Sequence, residues 1–254
     1  MNLAASLLDF QKYIYHLGLV DGSWCFIKEF LISGIYHLKF NGMKYPVYLR
    51  KGTTDRLIFN EIFIYKEYEF DLDKKPKLMI DIGANIGLTT LLFKNKYPDC
   101  KIIAIEPDVD NFKILQKNCE KLKDVILINA AVWSSKTKII LKDPFNYGAC
   151  GLVSYENTDT DDFINSVTID DIIRDYNIDR IDILKIDVEG AEKEIFKANY
   201  TGFLDITNNI LIELHDRMVP GCANNFFKAV NNYNFSMNNN SRTFLVELEG
   251  KVES

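Results

Sequence analysis

Residues 77–87 read Lys-Leu-Met-Ile-Asp-Ile-Gly-Ala-Asn-Ile-Gly, and this stretch decides how the rest of the chain is interpreted. A short apolar run ends at Asp81, and a turn follows with Gly83, Asn85 and Gly87 at alternate positions. Asn is among the few residues besides glycine that tolerate a positive φ. This order predicts a strand, a tight turn and a helix start, which brings backbone N–H groups close to a bound cofactor. The alternative is an ordinary strand-to-helix turn without a ligand.

A second acid at a predicted strand end, Glu106, follows 19 residues after Gly87. An acid about 20 residues beyond such a turn is placed to bind both hydroxyls of a ribose. Asp81 would repel a pyrophosphate but would suit the ammonium group of an amino acid. S-adenosylmethionine carries this ammonium and has no phosphate, so the two segments favour this cofactor over a dinucleotide.

The composition narrows the class of protein. A chain of 254 residues is long enough for one α/β domain with a modest appendage. The formal net charge of −6 argues against a nucleic-acid-binding surface. The five cysteines are scattered without a Cys-x-x-Cys pair, and the sequence shows neither a signal peptide nor an apolar run long enough to span a membrane. We therefore expect a cytoplasmic protein without a transmembrane segment.

Residues 1–72 are predicted to form a cap of helices and a β-hairpin on the main domain. Asn41-Gly42 between two alternating runs predicts a tight hairpin turn. The amphipathic N-terminal helix is compatible with packing on the domain or with a homodimer. The predicted elements of the cap are helices over residues 2–17, 24–36 and 55–68 and a hairpin over residues 37–50.

Strands and helices alternate within residues 73–254, which predicts a doubly wound α/β sheet of parallel strands with helices on both faces. The predicted strands are residues 77–82, 101–106, 124–129, 181–187 and 208–214, and the predicted helices are residues 86–96, 108–121, 168–177 and 189–198. Residues 133–165 interrupt this alternation with two short strand-like pieces, 137–141 and 151–155, and we expect a lid or a substrate loop there. Residues 235–250 predict a terminal hairpin with an exposed turn over residues 238–241.

Three acids, Asp81, Glu106 and Asp187, end predicted strands of this sheet. Ligands of doubly wound sheets bind at the carboxyl ends of the strands. We therefore expect these three side chains to converge on one crevice.

His215 also ends a predicted strand, and period-two alternation places Glu213 on the same face. It is interpreted either as a general base or as a structural, hydrogen-bonded histidine. Together with Asp187 and Glu189 it offers ligands that suit a divalent metal, although a metal is not the favoured interpretation.

Residues 50–55, Arg-Lys-Gly-Thr-Thr-Asp, admit two interpretations. One is a capped helix start, with Thr53, Thr54 or Asp55 as the cap. The other is a cover over the cofactor that binds substrate through Arg50, Thr53 and Asp55, with Arg50 facing a carboxylate or another anion.

Six segments together resemble the FkbM family of S-adenosylmethionine-dependent methyltransferases. They are residues 79–87 (Met-Ile-Asp-Ile-Gly-Ala-Asn-Ile-Gly), 105–107 (Ile-Glu-Pro), 129–132 (Asn-Ala-Ala-Val), 167–172 (Val-Thr-Ile-Asp-Asp-Ile), 184–192 (Leu-Lys-Ile-Asp-Val-Glu-Gly-Ala-Glu) and 212–215 (Ile-Glu-Leu-His). The resemblance covers residues 45–215, is most specific at residues 184–192, and implies the class I methyltransferase fold, which is Rossmann-like.

The resemblance also implies roles for single residues. The methionine end of the cofactor would lie along Asp81, Gly83, Asn85 and Gly87. The ribose would be held by Glu106, the adenine would lie beside Ala130, the sulfonium would lie near Asp187, and the acceptor would lie near His215. Asp187, His215 and Glu189 are the expected catalytic residues.

The function expected from these observations is S-adenosylmethionine-dependent O-methylation of a hydroxyl group on a sugar, a glycan or a related small metabolite. Two alternatives stay open at this point. One is a sugar-modifying oxidoreductase dependent on NAD, and the other is a non-catalytic protein that keeps the cofactor pocket as a scaffold in glycan assembly.

Overall fold

The computed structural model describes residues 3–156 and 163–252. Its N-terminal part is a cap in which two antiparallel strands follow a pair of packed helices. The elements of the cap are α1 (Leu3–Leu17), α2 (Leu19–Leu31), β1 (Ile35–Leu38), β2 (Val47–Arg50), α3 (Asp55–Phe59) and a π-helical turn, Asn60–Ile64, that continues α3.

The cap differs from its prediction in three places. The strands β1 and β2 are joined by residues 39–46, so Asn41-Gly42 is a turn within a longer loop and not a two-residue hairpin connection. The backbone N–H of Asn41 donates to Asp21 Oδ2 at 2.6 Å, which ties this loop to α2. α2 begins at Leu19, earlier than predicted, and the helical segment that starts at Asp55 ends at Ile64.

From residue 78 the chain alternates between strands and helices. In order, the elements are β3 (Leu78–Ile82), α4 (Leu88–Lys96), β4 (Lys101–Ile105), α5 (Val109–Cys119), β5 (Val125–Ile128), β6 (Ala131–Val132), β7 (Lys138–Lys142), a 3₁₀ turn (Gly148–Cys150), β8 (Val153–Glu156), β9 (Ile164–Val167), α6 (Ile169–Asp175), β10 (Ile181–Ile186), α7 (Glu192–Ile195), α8 (Thr201–Leu204), β11 (Thr207–Glu213), α9 (Cys222–Val230), β12 (Tyr233–Asn240) and β13 (Thr243–Lys251).

The central sheet has seven strands in the order β12-β13-β11-β10-β3-β4-β5. Neighbouring strands from β11 to β5 are parallel, and β13 is antiparallel to both β11 and β12. The strand order reverses between β3 and β10, which makes that position the topological switch point of a doubly wound sheet. The predicted fold class, α/β with a doubly wound sheet, is confirmed.

The two faces of the central sheet contribute to different buried clusters, because successive strand residues point to opposite sides. Met79 of β3 packs in one cluster with Leu38 and Phe59 of the cap. Ile80 belongs to a second cluster, which includes Phe226 of α9. The cap and the sheet therefore share a hydrophobic core, which fixes the position of the cap above the strand ends.

The insertion over residues 133–165 contains the strand-like pieces expected of it. β7 and β8 are antiparallel and overlap residues 137–141 and 151–155, and β9 pairs with both β7 and β6. The 3₁₀ turn, Gly148–Cys150, lies between β7 and β8. The part of the insertion at residues 157–162 lies outside the described residues.

Three expectations about the C-terminal half are wrong. A helix over residues 189–198 is reduced to α7, because Glu189 and Gly190 have φ values of 50° and 102° and so cannot be helical. The Asn residues at 238–240 are exposed but belong to β12, and the turn is formed by Ser241 and Arg242. Helices α8 and α9 were not expected. No helix in the described residues is long and apolar enough to cross a bilayer.

Candidate functional site

A cavity of about 660 Å³ opens at the carboxyl ends of four parallel strands. Gly83 follows β3, Glu106 follows β4, Asp187 follows β10, and His215 follows β11. The insertion and the cap contribute further walls. Because this is the side of the switch point at which doubly wound sheets bind ligands, the cavity is the candidate site.

The cavity wall carries more acidic than basic side chains. Five carboxylate side chains line the cavity, those of Glu61, Glu106, Asp187, Glu189 and Glu213. The basic side chains on the wall are those of His215, Arg217 and Arg242. This excess of carboxylates favours a ligand that carries positive charge.

The turn after β3 approaches the strand β10 very closely. Gly83 has φ of 75°, and a Cβ atom at this position would lie 1.8 Å from the carbonyl oxygen of Asp187. Its backbone N–H donates to Ile105 O at 3.0 Å. Asn85 has φ of 50°, and both Gly83 and Asn85 line the cavity as expected. Gly83 is therefore required by strand packing in addition to any role in binding.

Gly87 does not line the cavity, contrary to its expected role. It caps α4 with φ of 83°, and a Cβ atom there would lie 2.5 Å from Cδ1 of Leu115 on α5. The glycine thus permits close packing of two helices. Its contribution to the site is to let α4 start where the turn ends.

Asp81 is not among the residues that line the cavity, and its contact with the cofactor stays a prediction. Its carboxylate is fully buried, accepts a hydrogen bond from Thr90 Oγ1 at 2.7 Å, and lies 3.2 Å from Lys185 Nζ. Lys185 Nζ also donates to Gly83 O at 2.7 Å. Asp81 therefore acts beneath the turn, where it neutralises the lysine that holds the turn in place.

The buried Lys185 was missed from the sequence as a site-forming residue. Burial alone would lower its pKa, but Asp81 and Asp187 outweigh that effect and raise the pKa above the usual value. The sequence contained a feature that could have identified Lys185, because a lysine in the middle of an apolar buried strand needs a charged partner.

Glu106 is placed as the sequence predicted. It is almost fully buried at the cavity wall, its Oε2 accepts the backbone N–H of Asn85 at 2.8 Å, and its Oε1 accepts that of Asp108 at 3.0 Å. Burial raises the pKa of its carboxyl to about 7, even though these hydrogen bonds act in the opposite direction. Each oxygen keeps a second lone pair for a ligand hydroxyl. Ala130 lines the same end of the site.

Asp187 is held by two groups on its inner side. Its Oδ2 accepts the hydroxyl of Tyr68 at 3.0 Å and lies 3.6 Å from Lys185 Nζ. Burial would raise the pKa of Asp187, but Lys185 and His215 lower it below its usual value. Tyr68 was not recognised in the sequence, since nothing local to residue 68 shows that it reaches a strand end 119 residues away.

His215 lies at the centre of an acidic cluster. Its Nδ1 is 2.9 Å from Glu192 Oε1, and its Nε2 is 3.3 Å from Glu189 Oε2, 3.6 Å from Glu213 Oε1 and 3.8 Å from Asp187 Oδ1. Burial lowers the pKa of the imidazole, but the surrounding carboxylates outweigh it and raise the pKa to about 10. Without a ligand His215 is therefore an imidazolium, which is not free to act as a base.

The pKa values of two carboxyl groups in the same cluster are also raised. Burial, reinforced by neighbouring carboxylates and opposed by His215, raises the pKa of Glu189 to about 8. The same causes raise the pKa of Glu213 to about 7. The cluster titrates as one unit, and it holds acids that ionise close to neutral pH.

Arg50, Thr53 and Asp55 are not among the residues that line the cavity, and their role in substrate binding stays a prediction. Arg50 Nη2 lies 2.7 Å from Asp55 Oδ1, and Arg50 Nε donates to Asp55 Oδ2 at 3.0 Å. Thr53 Oγ1 donates to Arg50 O at 3.1 Å. These contacts hold the loop in place at the start of α3, which agrees with the interpretation of the segment as a helix start.

Three further groups on the cavity wall were missed. Arg242, from the turn between β12 and β13, pairs with Glu61 and lies 3.4 Å from Glu213 Oε1. Phe145 and Tyr147 of the insertion are largely exposed and stack at a centroid distance of 5.6 Å. The stacked pair could have been predicted, because two aromatic residues stand out in a polar insertion. No feature of the sequence near Arg242 indicates that its side chain reaches the cavity.

Residues 81–240 match the model of the methyltransferase FkbM domain, which is more than half of the chain. The chain belongs to the FkbM methyltransferase family. A curated relative, methyltransferase sdnD of Sordaria araneosa, is 30% identical over 63% of this chain and 79% of its own length. The hexuronic acid methyltransferase AglP of Haloferax volcanii is 28% identical over 58% of this chain and 59% of its own length.

Two solved structures superpose on this chain at low sequence identity. An FkbM methyltransferase from Methylobacillus flagellatus KT superposes with a TM-score of 0.49 and 13% identity, over 96% of this chain and 59% of that protein. TrmK of M. capricolum, in complex with S-adenosylhomocysteine, superposes with a TM-score of 0.42 and 15% identity, over 72% of this chain and 66% of that protein.

Proposed function

We propose that this FkbM-family methyltransferase transfers the methyl group of S-adenosylmethionine to a hydroxyl group of a sugar or a sugar-containing metabolite. The observation that carries the proposal is the arrangement of the cavity. Glu106, the carboxylate to which we assign the ribose, lies at one strand end, and a cluster of carboxylates around His215 lies at others.

The residues present fit the cofactor on chemical grounds. Glu106 has lone pairs free for two ribose hydroxyls, because each of its oxygens accepts a single backbone N–H. Ala130 is small and leaves room for a flat base. The excess of carboxylates on the wall suits a ligand whose sulfonium and ammonium are both cationic.

When bound, S-adenosylmethionine supplies an electrophilic methyl group on a sulfonium. Asp187 would attract that positive charge, since Lys185 and His215 keep its carboxylate ionised. The insertion, the cap and the strand ends would hold the acceptor hydroxyl in line with the methyl group and exclude water.

The hydroxyl proton is assigned to Glu189 and not to His215. Glu189 lines the cavity, and a carboxylate whose pKa is raised to about 8 is a stronger base than an ordinary one. His215 is protonated in the ligand-free protein, so we assign it the role of orienting the neighbouring carboxylates. This differs from the expectation that His215 itself is the base.

The choice of a sugar acceptor is supported by the stacked pair of Phe145 and Tyr147. Both rings are exposed on the wall of the cavity, and such rings bind the apolar faces of cyclic ligands. A relative named as a hexuronic acid methyltransferase points to the same class of acceptor. The family membership favours methyl transfer over the oxidoreductase alternative.

The test is a transfer assay with purified protein, methyl-labelled S-adenosylmethionine and a panel of neutral and acidic sugars and glycosides. We expect labelled methyl ether to form on at least one acceptor, and calorimetry with S-adenosylhomocysteine to show one binding site. Transfer only to nitrogen or carbon acceptors, or cofactor binding with no turnover on the whole panel, would contradict the proposal, and the latter would support the scaffold alternative.

A further inference from the structure

Three potential metal ligands from two neighbouring strand ends face each other in the cavity. Each of Asp187, Glu213 and His215 offers one ligand atom, and these atoms all lie within 4.8 Å of one another. The imidazole Nε2 is 3.8 Å from Asp187 Oδ1 and 3.6 Å from Glu213 Oε1. Both distances exceed the range of a hydrogen bond, so the atoms surround a common point and are not bonded to each other.

The orientation of the histidine provides a second observation. Its side chain is only 10% exposed, and Nδ1 is 2.9 Å from the fully buried carboxylate of Glu192. Glu192 is itself fixed, because its Oε2 accepts the backbone N–H of Gly190 at 3.0 Å. Nε2 is directed into the site, where its nearest neighbour among these carboxylates is Glu189 Oε2 at 3.3 Å. A carboxylate behind the ring is the usual support of a histidine that binds a metal.

The carboxylates of Asp187 and Glu213 also contact neighbouring side chains. Asp187 uses Oδ2 for Tyr68 and Lys185, which leaves Oδ1 directed toward His215. Glu213 is approached by Arg242, whose Nη1 lies 3.4 Å from Oε1. The Glu213 oxygen that Arg242 approaches is also the one that lies 3.6 Å from His215 Nε2, so a bound cation would share this oxygen with the guanidinium.

We propose that Asp187, Glu213 and His215 form a binding site for one divalent cation. Two carboxylates and one imidazole on one side of a cavity leave the remaining coordination positions open to water or to a ligand. This mixed oxygen and nitrogen set suits Mn²⁺ or Mg²⁺ better than a metal that prefers thiolates. The sequence suggested Glu189 as a ligand in place of Glu213, and the alternation that put Glu213 beside His215 was the better guide.

The charge around the site is consistent with a bound cation. Asp187, Glu189, Glu192 and Glu213 surround the imidazole, so carboxylates are concentrated at the place proposed for the cation. Asp187, Glu213 and His215 all line the cavity in which the acceptor is proposed to bind. Binding of the acceptor by the cation rests on the proposed function, whereas binding of the cation itself does not.

The experiment measures Mn²⁺ binding to the full-length protein after removal of metals with a chelator. Free Mn²⁺ is followed by electron paramagnetic resonance, and we expect about one ion bound per chain. Asp187→Asn and Glu213→Gln should each weaken binding by about tenfold or more, because each removes a ligand charge while keeping the shape. Glu192→Gln should weaken it to a similar extent through the orientation of the ring.

Glu194→Gln is the matched control, because Glu194 is on α7 next to this region but pairs with Lys197 at 3.1 Å. It should bind Mn²⁺ like the wild type. Thermal melting and calorimetry with S-adenosylhomocysteine establish that each variant is folded. A wild type that binds no stoichiometric Mn²⁺, or ligand variants that bind as tightly as the control, would overturn the site. Loss of Mn²⁺ binding with intact S-adenosylhomocysteine binding separates this proposal from the proposed function.

Discussion

Lys185 Nζ lies 3.2 Å from Asp81 Oδ1, and both side chains are buried beneath the turn that follows β3. The same ammonium donates to the carbonyl of Gly83, so the lysine joins β10 to the turn after β3 at the switch point of the sheet. This places the acid of the first motif in the support of the turn and not on its binding surface. The pair is therefore a structural element on which the cavity depends.

Replacement of Lys185 by methionine should destabilise the protein strongly. The change leaves the Asp81 carboxylate buried without its cation, and breaking a buried ion pair from one side costs about 3–5 kcal/mol. Denaturant unfolding followed by circular dichroism measures this cost. The double variant Lys185→Met with Asp81→Asn should recover a large part of the stability, because no charge is then left unpaired. A double variant no more stable than the single one would show that the pair is not the reason.

Arg50→Gln should lower stability without changing cofactor affinity. Asp55 is almost fully buried and would lose the two hydrogen bonds from the Arg50 guanidinium, at a cost of about 3 kcal/mol. Arg50 does not line the cavity, so the dissociation constant of S-adenosylhomocysteine should stay within about twofold of the wild type. A tenfold or larger loss of affinity in a folded Arg50→Gln variant would restore the interpretation of this loop as a cover over the cofactor.

Affinity for S-adenosylhomocysteine should rise as pH increases through about 7. Burial raises the pKa of Glu106 to about 7, so its carboxyl is largely protonated below that pH. Ribose hydroxyls donate best to the ionised form, and binding therefore favours deprotonation. Calorimetry over a pH series gives the dissociation constant at each pH. Glu106→Gln should weaken binding by about 10- to 100-fold, the equivalent of about 1.5–3 kcal/mol, and should remove most of this pH dependence.

The rate of methyl transfer should rise with pH as Glu189 loses its proton. The carboxyl has its pKa raised to about 8 by burial and by its acidic neighbours, so the fraction able to accept a proton grows as pH rises toward that value. The value of kcat/KM on a responsive acceptor should increase with pH, reach half of its maximum near pH 8 and level off above that pH. Glu189→Gln should lower kcat by about 10²- to 10⁴-fold, with cofactor affinity retained. A Glu189→Gln variant with the wild-type rate and profile would rule out this residue as the base.

The fold was predictable because its main signals are local. Apolar runs, four of which end at or next to an acid, predicted the five parallel strands nearly to the residue, and the alternation of strands with helices predicted the doubly wound sheet. The errors fall where a single backbone conformation overrides the pattern. At Glu189 and Gly190 left-handed φ values shorten a predicted helix, and at Asn41-Gly42 a contact with α2 draws the turn into a longer loop.

The site was predictable at strand ends and not elsewhere. Glu106, Asp187 and His215 lie on the cavity because parallel strands end at one edge, which the sequence order already implies. The pairing of Asp81 with Lys185 was not predictable, because Lys185 is on a strand more than 100 residues later and no local pattern shows which side of the strand end the carboxylate faces. Arg242 reaches the site through a turn of the terminal hairpin, a contact that only the tertiary structure reveals.

The stacked pair of Phe145 and Tyr147 should affect acceptor binding and leave cofactor binding unchanged. Both rings are exposed on the cavity wall, so their removal creates no cavity in the core and should cost little stability. Loss of ring contact with a sugar is expected to raise KM for the acceptor by about 3- to 10-fold for each ring, the equivalent of about 0.5–1.5 kcal/mol. Steady-state kinetics of Phe145→Ala and Tyr147→Ala with a responsive acceptor measure this change, and calorimetry with S-adenosylhomocysteine is the parallel readout. Tyr155→Ala is the matched control, since Tyr155 is an exposed aromatic residue of the same insertion that does not line the cavity. An equal rise in KM for all three variants would mean that the insertion acts through its general fold and that the stacked pair has no special contact with the acceptor.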